Sequence, residues 1–150
     1  MFHFKNVSQG SLDDLSFTIK KKEKVILFGP SGAGKSTLLF LFNRLNSPSK
    51  GTIYFENKKL SEHSVVELRK RIGLVLQEPN LFPGTVMDNI KYGPSLFGEW
   101  EDQQAEELLN YVQLPYSYID RNVNQLSGGE KQRLSLARTL ANSPEVLLLD

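Results

Sequence analysis

One nine-residue stretch, Gly29–Thr37, constrains this chain more than any other part of the sequence. It is GPSGAGKST and fits the pattern G-x-x-x-x-G-K-[ST], with Gly29 and Gly34 as its two glycines. The apolar run KVILF at 24–28 precedes it, and apolar residues at helical spacing follow it. This is the setting of a phosphate-binding loop, because glycines let successive backbone N–H groups turn toward phosphate oxygens. The sequence therefore predicts a nucleoside triphosphate site.

Each residue of this loop has an expected part in binding. Lys35 is expected to reach the β- and γ-phosphates, the Ser36 hydroxyl to bind Mg²⁺, and Thr37 to cap the helix or contact phosphate. The N-terminus of the following helix adds its partial positive charge. The candidate nucleotide-binding residues are Gly29, Pro30, Ser31, Gly32, Ala33, Gly34, Lys35, Ser36 and Thr37.

The composition argues against several other classes of protein. A net charge of +1 argues against a nucleic-acid binder driven by bulk charge, so no nucleic-acid partner is expected. The absence of Cys excludes a disulfide scaffold and a thiolate metal site, and two His are too few for a His-rich site. No apolar run approaches the ~18 residues of a membrane span, and the N-terminus does not resemble a signal peptide. A soluble, cytoplasmic protein is expected, with any membrane span provided by another chain.

Hydrophobic periodicity predicts an α/β core with a mostly helical insertion at about 85–125. KVILF is expected to be a strand buried on both faces, and VLLLD at 146–150 to be a last buried strand. A lysine-rich run at 20–24 predicts an exposed turn between two strands, with a basic binding surface as the alternative. Other strands are predicted near residues 2–7, 15–19, 52–55 and 73–77, and helices near 38–45, 65–72, 105–112 and 134–141.

Two further patterns lie toward the end of the sequence. In a phosphate-binding-loop fold, a parallel strand ending at Asp150 beside the strand before the loop would place this carboxylate near Mg²⁺. LSGGEKQR at 126–133 precedes a predicted helix, and its small residues expose N–H groups to an anion. Ser127 and Glu130 also fit a capping box, and both interpretations can hold together.

Four features follow one another along the chain: GPSGAGKST, Gln77 after a strand, LSGGEKQR and VLLLD. In this order they resemble the nucleotide-binding domain of ATP-binding cassette (ABC) proteins over essentially the whole chain. The resemblance implies an α/β P-loop NTPase fold. In this fold a helical subdomain, at about 85–125, is inserted into an ABC-type core sheet. It implies ATP and Mg²⁺ as cofactors, and a second copy of the domain as partner. Two such domains pair head to tail, with each ATP lying between one P-loop and the other domain's signature motif.

The resemblance also implies residue roles. Ser127, Gly128 and Gly129 would contact the γ-phosphate bound on the second copy. Ser36, Gln77 and Asp150 would be the Mg²⁺ ligands, with Gln77 and Asp150 in the catalytic centre. The loop 78–84 would relay the state of Gln77 to a membrane partner.

Three features depart from the family pattern. Glu130 stands where Gln is commoner in the signature motif. The aromatic residue that usually stacks on adenine is missing from a shortened segment before Leu15, and Phe4 is the nearest aromatic. The family's catalytic glutamate would follow Asp150, so the 150-residue chain is expected to be incomplete at its C-terminus and inactive in isolation.

The leading functional hypothesis is the ATP-binding, energy-coupling subunit of an ABC membrane transporter. It would work with a separate multi-span permease, peripherally on the inner face of the cell membrane. TVMDNI at 85–90 and LPYSYIDRNVNQLSGGEKQR at 114–133 loosely resemble small bacterial cassettes for iron export or phosphate transport. A soluble DNA-repair or chromosome-maintenance ATPase is the first alternative, although residues 78–126 contain neither heptads nor Cys. A non-hydrolysing nucleotide-binding regulator is the second.

Overall fold

The computed structural model describes all 150 residues and forms two compact units. The first contains Met1–Arg69 together with Asp150, and the second contains Lys70–Leu149. The strands are β1 Phe2–Gln9, β2 Leu12–Ile19, β3 Lys50–Phe55, β4 Lys58–Lys59, β5 Ile72–Val75 and β6 Val146–Leu149. The α-helices are α1 Lys35–Phe42, α2 Val65–Arg71, α3 Val86–Ser95, α4 Gln103–Tyr111 and α5 Gly128–Leu140. Short 3₁₀ turns occur at Leu60–Glu62, Tyr116–Tyr118 and Val123–Gln125.

An antiparallel sheet in the order β2-β1-β3-β4 forms the framework of the first unit. Alternate residues of β1 point to one face, so Phe2 and Phe4 are both buried there. Phe4 stacks on Phe17 with ring centroids 4.5 Å apart. Phe42 of α1 meets Phe2 edge-on at 4.7 Å and lies 4.9 Å from Phe4. This aromatic core seats α1 against the sheet.

The prediction of a strand at Lys24–Phe28 is wrong. The segment is not a strand and pairs with none of the six strands. Val25, Ile26 and Phe28 are 53%, 90% and 101% exposed. An apolar run favours burial, but a strand also needs a neighbouring strand to receive its backbone hydrogen bonds. The lysine-rich turn is exposed as predicted, but no strand follows it.

In the second unit, β5 and β6 pair in parallel, from Ile72 opposite Val146 to Val75 opposite Leu149. The neighbour of β6 is therefore β5 and not the segment before the glycine-rich loop. The expectation that VLLLD is fully buried is also wrong, because Leu147 and Leu149 are 40% and 63% exposed. They point to the opposite face of the strand from Leu148, which is buried.

Helical structure fills most of residues 86–125, as the periodicity predicts, in the form of α3, α4 and two 3₁₀ turns. Thr85 begins α3 with a capping box, in which its side chain and that of Asp88 each accept the other's backbone N–H. These helices share with α5 a buried cluster: Val86, Ile90, Leu109, Val112, Leu114, Val123, Leu126, Leu134 and Ala137. The cluster fixes where α5, and the turn before it, lie relative to α3.

The register of the β1–β3 pair shifts beside Gly51, and a substitution there tests how much this close approach matters for stability. Gly51 has φ +80°, and a Cβ there would overlap the carbonyl oxygens of Lys5 and Asn6. We expect Gly51→Ala to lower the free energy of unfolding by at least about 2 kcal/mol. Gly10→Ala is the matched control, since Gly10 has φ +57° with open space around it and should cost only about 1 kcal/mol. Urea unfolding of the purified protein measures both, and equal losses would contradict the steric explanation.

Candidate nucleotide-binding site

The glycine-rich loop ends where α1 begins, and Gly34 is the N-cap of that helix. Gly34 has φ +89°, and a Cβ there would lie 2.6 Å from Leu12 Cδ2 and 2.8 Å from Ser11 Oγ. Only glycine therefore allows the β1–β2 hairpin to approach the loop this closely. No side chain caps α1, so its first backbone N–H groups remain available to an anionic ligand.

Lys35 closes the loop on itself. Its Nζ donates hydrogen bonds to the carbonyl oxygens of Gly29 at 2.9 Å and Pro30 at 2.7 Å. An ammonium group has three donors, so one remains for a phosphate oxygen. The sequence predicts the phosphate contact but not this structural one, because carbonyl positions depend on the fold of the loop.

Ser36 and Asp150 meet within the first unit, although they are 114 positions apart in the chain. The Ser36 hydroxyl donates to Asp150 Oδ1 at 2.8 Å, and both residues are exposed. A hydroxyl and a carboxylate are the hard oxygen ligands that Mg²⁺ accepts while keeping waters and phosphate oxygens as its other ligands. The residues therefore fit Mg²⁺ held jointly with a nucleotide.

The signature-like turn begins α5 in the second unit. Ser127 is the N-cap: its Oγ accepts the Glu130 N–H at 3.3 Å, and its backbone N–H donates to Glu130 Oε2 at 2.7 Å. Ser127, Gly128 and Gly129 are all exposed. The predicted capping box is thus present, and the turn can still be approached from solvent.

Gln77 lies in the second unit, exposed and two residues beyond the end of β5. The side chain of Gln132, on α5, donates to the carbonyl oxygen of Leu76 at 2.9 Å. Helix α5 is therefore tied to the residue directly before Gln77. Sequence reasoning assigns no role to Gln132, although it belongs to the LSGGEKQR pattern.

The loop 78–84 is shaped by two residues that the sequence does not single out. Buried Asn89 accepts the Phe82 N–H at 2.8 Å and donates to the Phe82 carbonyl at 2.9 Å. Arg138 donates to the Asn80 carbonyl at 2.6 Å, and burial lowers the pKa of its guanidinium. Phe82 is left 42% exposed and lies against Tyr92, with ring centroids 4.3 Å apart.

Phe4 is not available to stack on a nucleotide base. Its side chain has no exposed surface and is engaged with Phe17 and Phe42. Phe2 is equally committed to the core, at 2% exposed. The hairpin that faces the loop presents Ser11 and Leu12 instead.

Known proteins with similar sequences and structures identify the family of this chain. The sequence profile of the family described as ABC transporter matches residues 12–150. The chain belongs to the ABC transporter family. The predicted P-loop NTPase fold is confirmed by an ABC structure described as a dimeric post-hydrolysis state of the ATP-binding cassette MJ0796 bound to ADP and Pi. That structure has a TM-score of 0.90 and 34% identity, and the match covers 100% of this chain and 73% of that one.

Two ABC relatives show the breadth of the family. ABC transporter I family member 17 of Arabidopsis thaliana is 44% identical over 140 residues, which cover 93% of this chain and 53% of the relative. Phosphate import ATP-binding protein PstB 2 of Lactobacillus johnsonii is 42% identical over 154 residues, which cover 93% of this chain and 61% of the relative. The chain therefore spans little more than half the length of these relatives. None of its helices combines the length and apolar character needed to cross a bilayer.

Removing the Lys35 ammonium should abolish most nucleotide binding. We expect Lys35→Ala to weaken ATP binding by about 100-fold, the scale of a charge-assisted hydrogen bond to phosphate. Lys24→Ala, which removes an exposed lysine shortly before the loop, should leave the affinity unchanged. Titration calorimetry measures the affinities, and circular dichroism checks that the fold persists. Unchanged affinity in Lys35→Ala would remove this residue from the site.

The base should contribute little to nucleotide affinity. A base–aromatic stack adds about 1–3 kcal/mol, or roughly 5- to 150-fold, whereas the triphosphate is common to ATP and GTP. With Phe2 and Phe4 committed to the core, we expect GTP to compete with ATP within about tenfold. Phe4→Ala should lower stability but not change selectivity. A strong preference for ATP that disappears in Phe4→Ala would show that Phe4 reads the base after all.

Proposed function

We propose that this protein is the ATP-binding, energy-coupling subunit of an ABC membrane transporter. The observation that carries the proposal is that Lys35 closes the glycine-rich loop while Ser36, the next residue, donates to Asp150 within the first unit. The names of the relatives, ABC transporter I family member 17 and a phosphate import ATP-binding protein, support the transport role. The site of action proposed is the inner face of the cell membrane.

The proposed chemistry is positioning and charge neutralisation of a triphosphate. The amides at the start of α1 and the remaining Lys35 donor would bind phosphate oxygens. Ser36 and Asp150 would hold Mg²⁺, which supplies neutralisation of the charge that develops on the phosphates. Gln77, an exposed amide beyond β5, is proposed as a further Mg²⁺ ligand and catalytic residue.

A second copy of this protein is the proposed partner in ATP binding. The exposed turn formed by Ser127, Gly128 and Gly129 would contact the γ-phosphate held by the P-loop of the other copy. The dimeric, ADP- and Pi-bound state of the similar cassette MJ0796 supports this pairing.

A multi-span permease is the proposed membrane partner. The proposed contact is the loop 78–84, where the exposed Phe82 ring lies against Tyr92. Asn89 and Arg138 hold the backbone of this loop through hydrogen bonds to Phe82 and Asn80.

Hydrolysis by the full-length protein tests the proposal. We expect Mg²⁺-dependent phosphate release that Asp150→Asn reduces by about 100-fold, the scale of losing one electrostatic contact to transition-state charge. Asn keeps the shape of the side chain and an acceptor for Ser36, so ATP binding without Mg²⁺ should be unchanged. Glu67→Gln, which removes an exposed carboxylate of α2, is the matched control.

Two results would favour the alternatives. Tight ATP binding without phosphate release, at any protein concentration, would favour a non-hydrolysing regulator. Hydrolysis stimulated by DNA but not by a co-purified membrane protein would favour a soluble DNA-maintenance ATPase.

A further inference from the structure

Helix α5 packs directly on strand β5, and both elements belong to the second unit. A Cβ added at Gly73 of β5 would lie 2.5 Å from Thr139 Cγ2 of α5, so the glycine permits a close approach of strand and helix. At the other end of this contact, Gln132 Nε2 of α5 donates to the carbonyl oxygen of Leu76 at 2.9 Å. Leu76 directly follows β5, so two contacts seat α5 along the strand.

The spacing of the two contacts agrees with a helix that runs along the strand. Thr139 and Gln132 are seven positions apart, which returns to the same face of a helix and spans about 10.5 Å along its axis. Gly73 and Leu76 are three positions apart, which spans about 10 Å in an extended chain. Gln132 therefore lies on the face of α5 that follows β5, at the point where the chain leaves the strand.

The stretch 76–84 joins β5 to the cap of α3 without forming a helix or a strand. Side chains of α5 and α3 hold its backbone through hydrogen bonds at Leu76, Asn80 and Phe82. Of these contacts, the one at Leu76 is the nearest to Gln77 along the chain. It is made to the oxygen of the peptide group that joins Leu76 to Gln77.

A hydrogen bond to this oxygen restrains Gln77 directly. A peptide group is planar, so the Leu76 carbonyl lies in one plane with the nitrogen and Cα of Gln77. The side chain of Gln77 is exposed, and the direction in which it leaves the backbone depends on that plane. Accurate placement matters for its proposed role, because Mg²⁺ demands a nearly ideal octahedral arrangement of ligands.

We propose that Gln132 is a positioning residue for Gln77: its hydrogen bond to the Leu76 carbonyl fixes the peptide group that carries Gln77. The inference rests on the proposed function, in which Gln77 is a Mg²⁺ ligand and catalytic residue. Gln132 acts through the backbone and need not touch the nucleotide. Its loss should therefore lower kcat and the gain in nucleotide affinity that Mg²⁺ gives, while affinity without Mg²⁺ stays the same.

The test replaces Gln132 with Met in the full-length protein, which keeps a long unbranched side chain but removes the N–H donor. We expect kcat for Mg²⁺-dependent phosphate release to fall about tenfold, within the roughly 100-fold that a misplacement of about 1 Å can cost. Calorimetry with a non-hydrolysable ATP analogue should show a gain in affinity from Mg²⁺ that is at least about threefold smaller than in the unmodified protein. Without Mg²⁺ the two affinities should agree.

Hydrogen exchange of the nucleotide-free protein tests the anchor independently of activity. Peptides that cover residues 76–82 should exchange faster in Gln132→Met, because the backbone there has lost one of its restraints. Peptides from α4 should exchange at the same rate in both proteins. If Gln132→Met disturbs the fold, Gln132→Ala removes the same donor with the residue that favours helices most.

A double-mutant cycle separates an action through Gln77 from a general structural role. Gln77→Ala should lower kcat by itself, and adding Gln132→Met to it should change kcat by less than about twofold, because the positioned group is already gone. Gln104→Met is the matched control, since Gln104 is an exposed glutamine of α4 in the same unit. It should leave kcat, both affinities and hydrogen exchange unchanged.

Three results would overturn the inference while leaving the proposed function in place. The first is a hydrolysing protein in which Gln132→Met keeps kcat and the Mg²⁺ gain within twofold of the unmodified values. The second is an equal loss from Gln132→Met with and without Gln77→Ala, because Gln132 would then act elsewhere. The third is weaker pairing of two copies in Gln132→Met, which would place its effect at the Ser127 turn. If the unmodified protein binds ATP but releases no phosphate, the proposed function falls, and this inference falls with it.

Discussion

The first backbone amides of a helix have no partner within the helix, so they must bind something else. Both candidate phosphate-binding turns depend on this requirement. Helix α1 begins at Gly34 without any side-chain cap, so its first amides are available to a ligand. Helix α5 begins at Ser127 with a complete capping box, so Ser127 and Glu130 satisfy each other's backbone amides. The amides that begin α1 therefore have no side-chain partner, whereas those that begin α5 have one.

Packing behind each turn determines how firmly it is held. Behind the P-loop, Phe42 of α1 is buried among the rings of Phe2 and Phe4. Behind the Ser127 turn, Leu134 and Ala137 of α5 are buried in the cluster shared with α3 and α4. Because interiors are close-packed, these contacts leave each helix little freedom to shift, and its first turn is positioned with it.

Sequence reasoning succeeded where a short pattern carries its own local structure. Gly29–Thr37 and Leu126–Arg133 contain glycines, caps and helix formers in fixed order, and both lead into the predicted helices. It failed at Lys24–Phe28, where five residues of strand-like composition find no neighbour in the sheets of this structure. Composition can indicate a preference for burial, but it does not provide the strand that completes a hydrogen-bonded ladder.

Local patterns alone were therefore enough for the glycine-rich loop before α1, the capping box at Ser127, the helical stretch after residue 85 and the family to which the chain belongs. Tertiary structure was needed for contacts between distant residues, such as Ser36 with Asp150, Gln132 with Leu76, and Arg121 with the start of α3. The physical reason is range. Glycine conformation and helix capping depend on residues within one turn, whereas a contact across many positions depends on how whole elements pack, which no short pattern encodes.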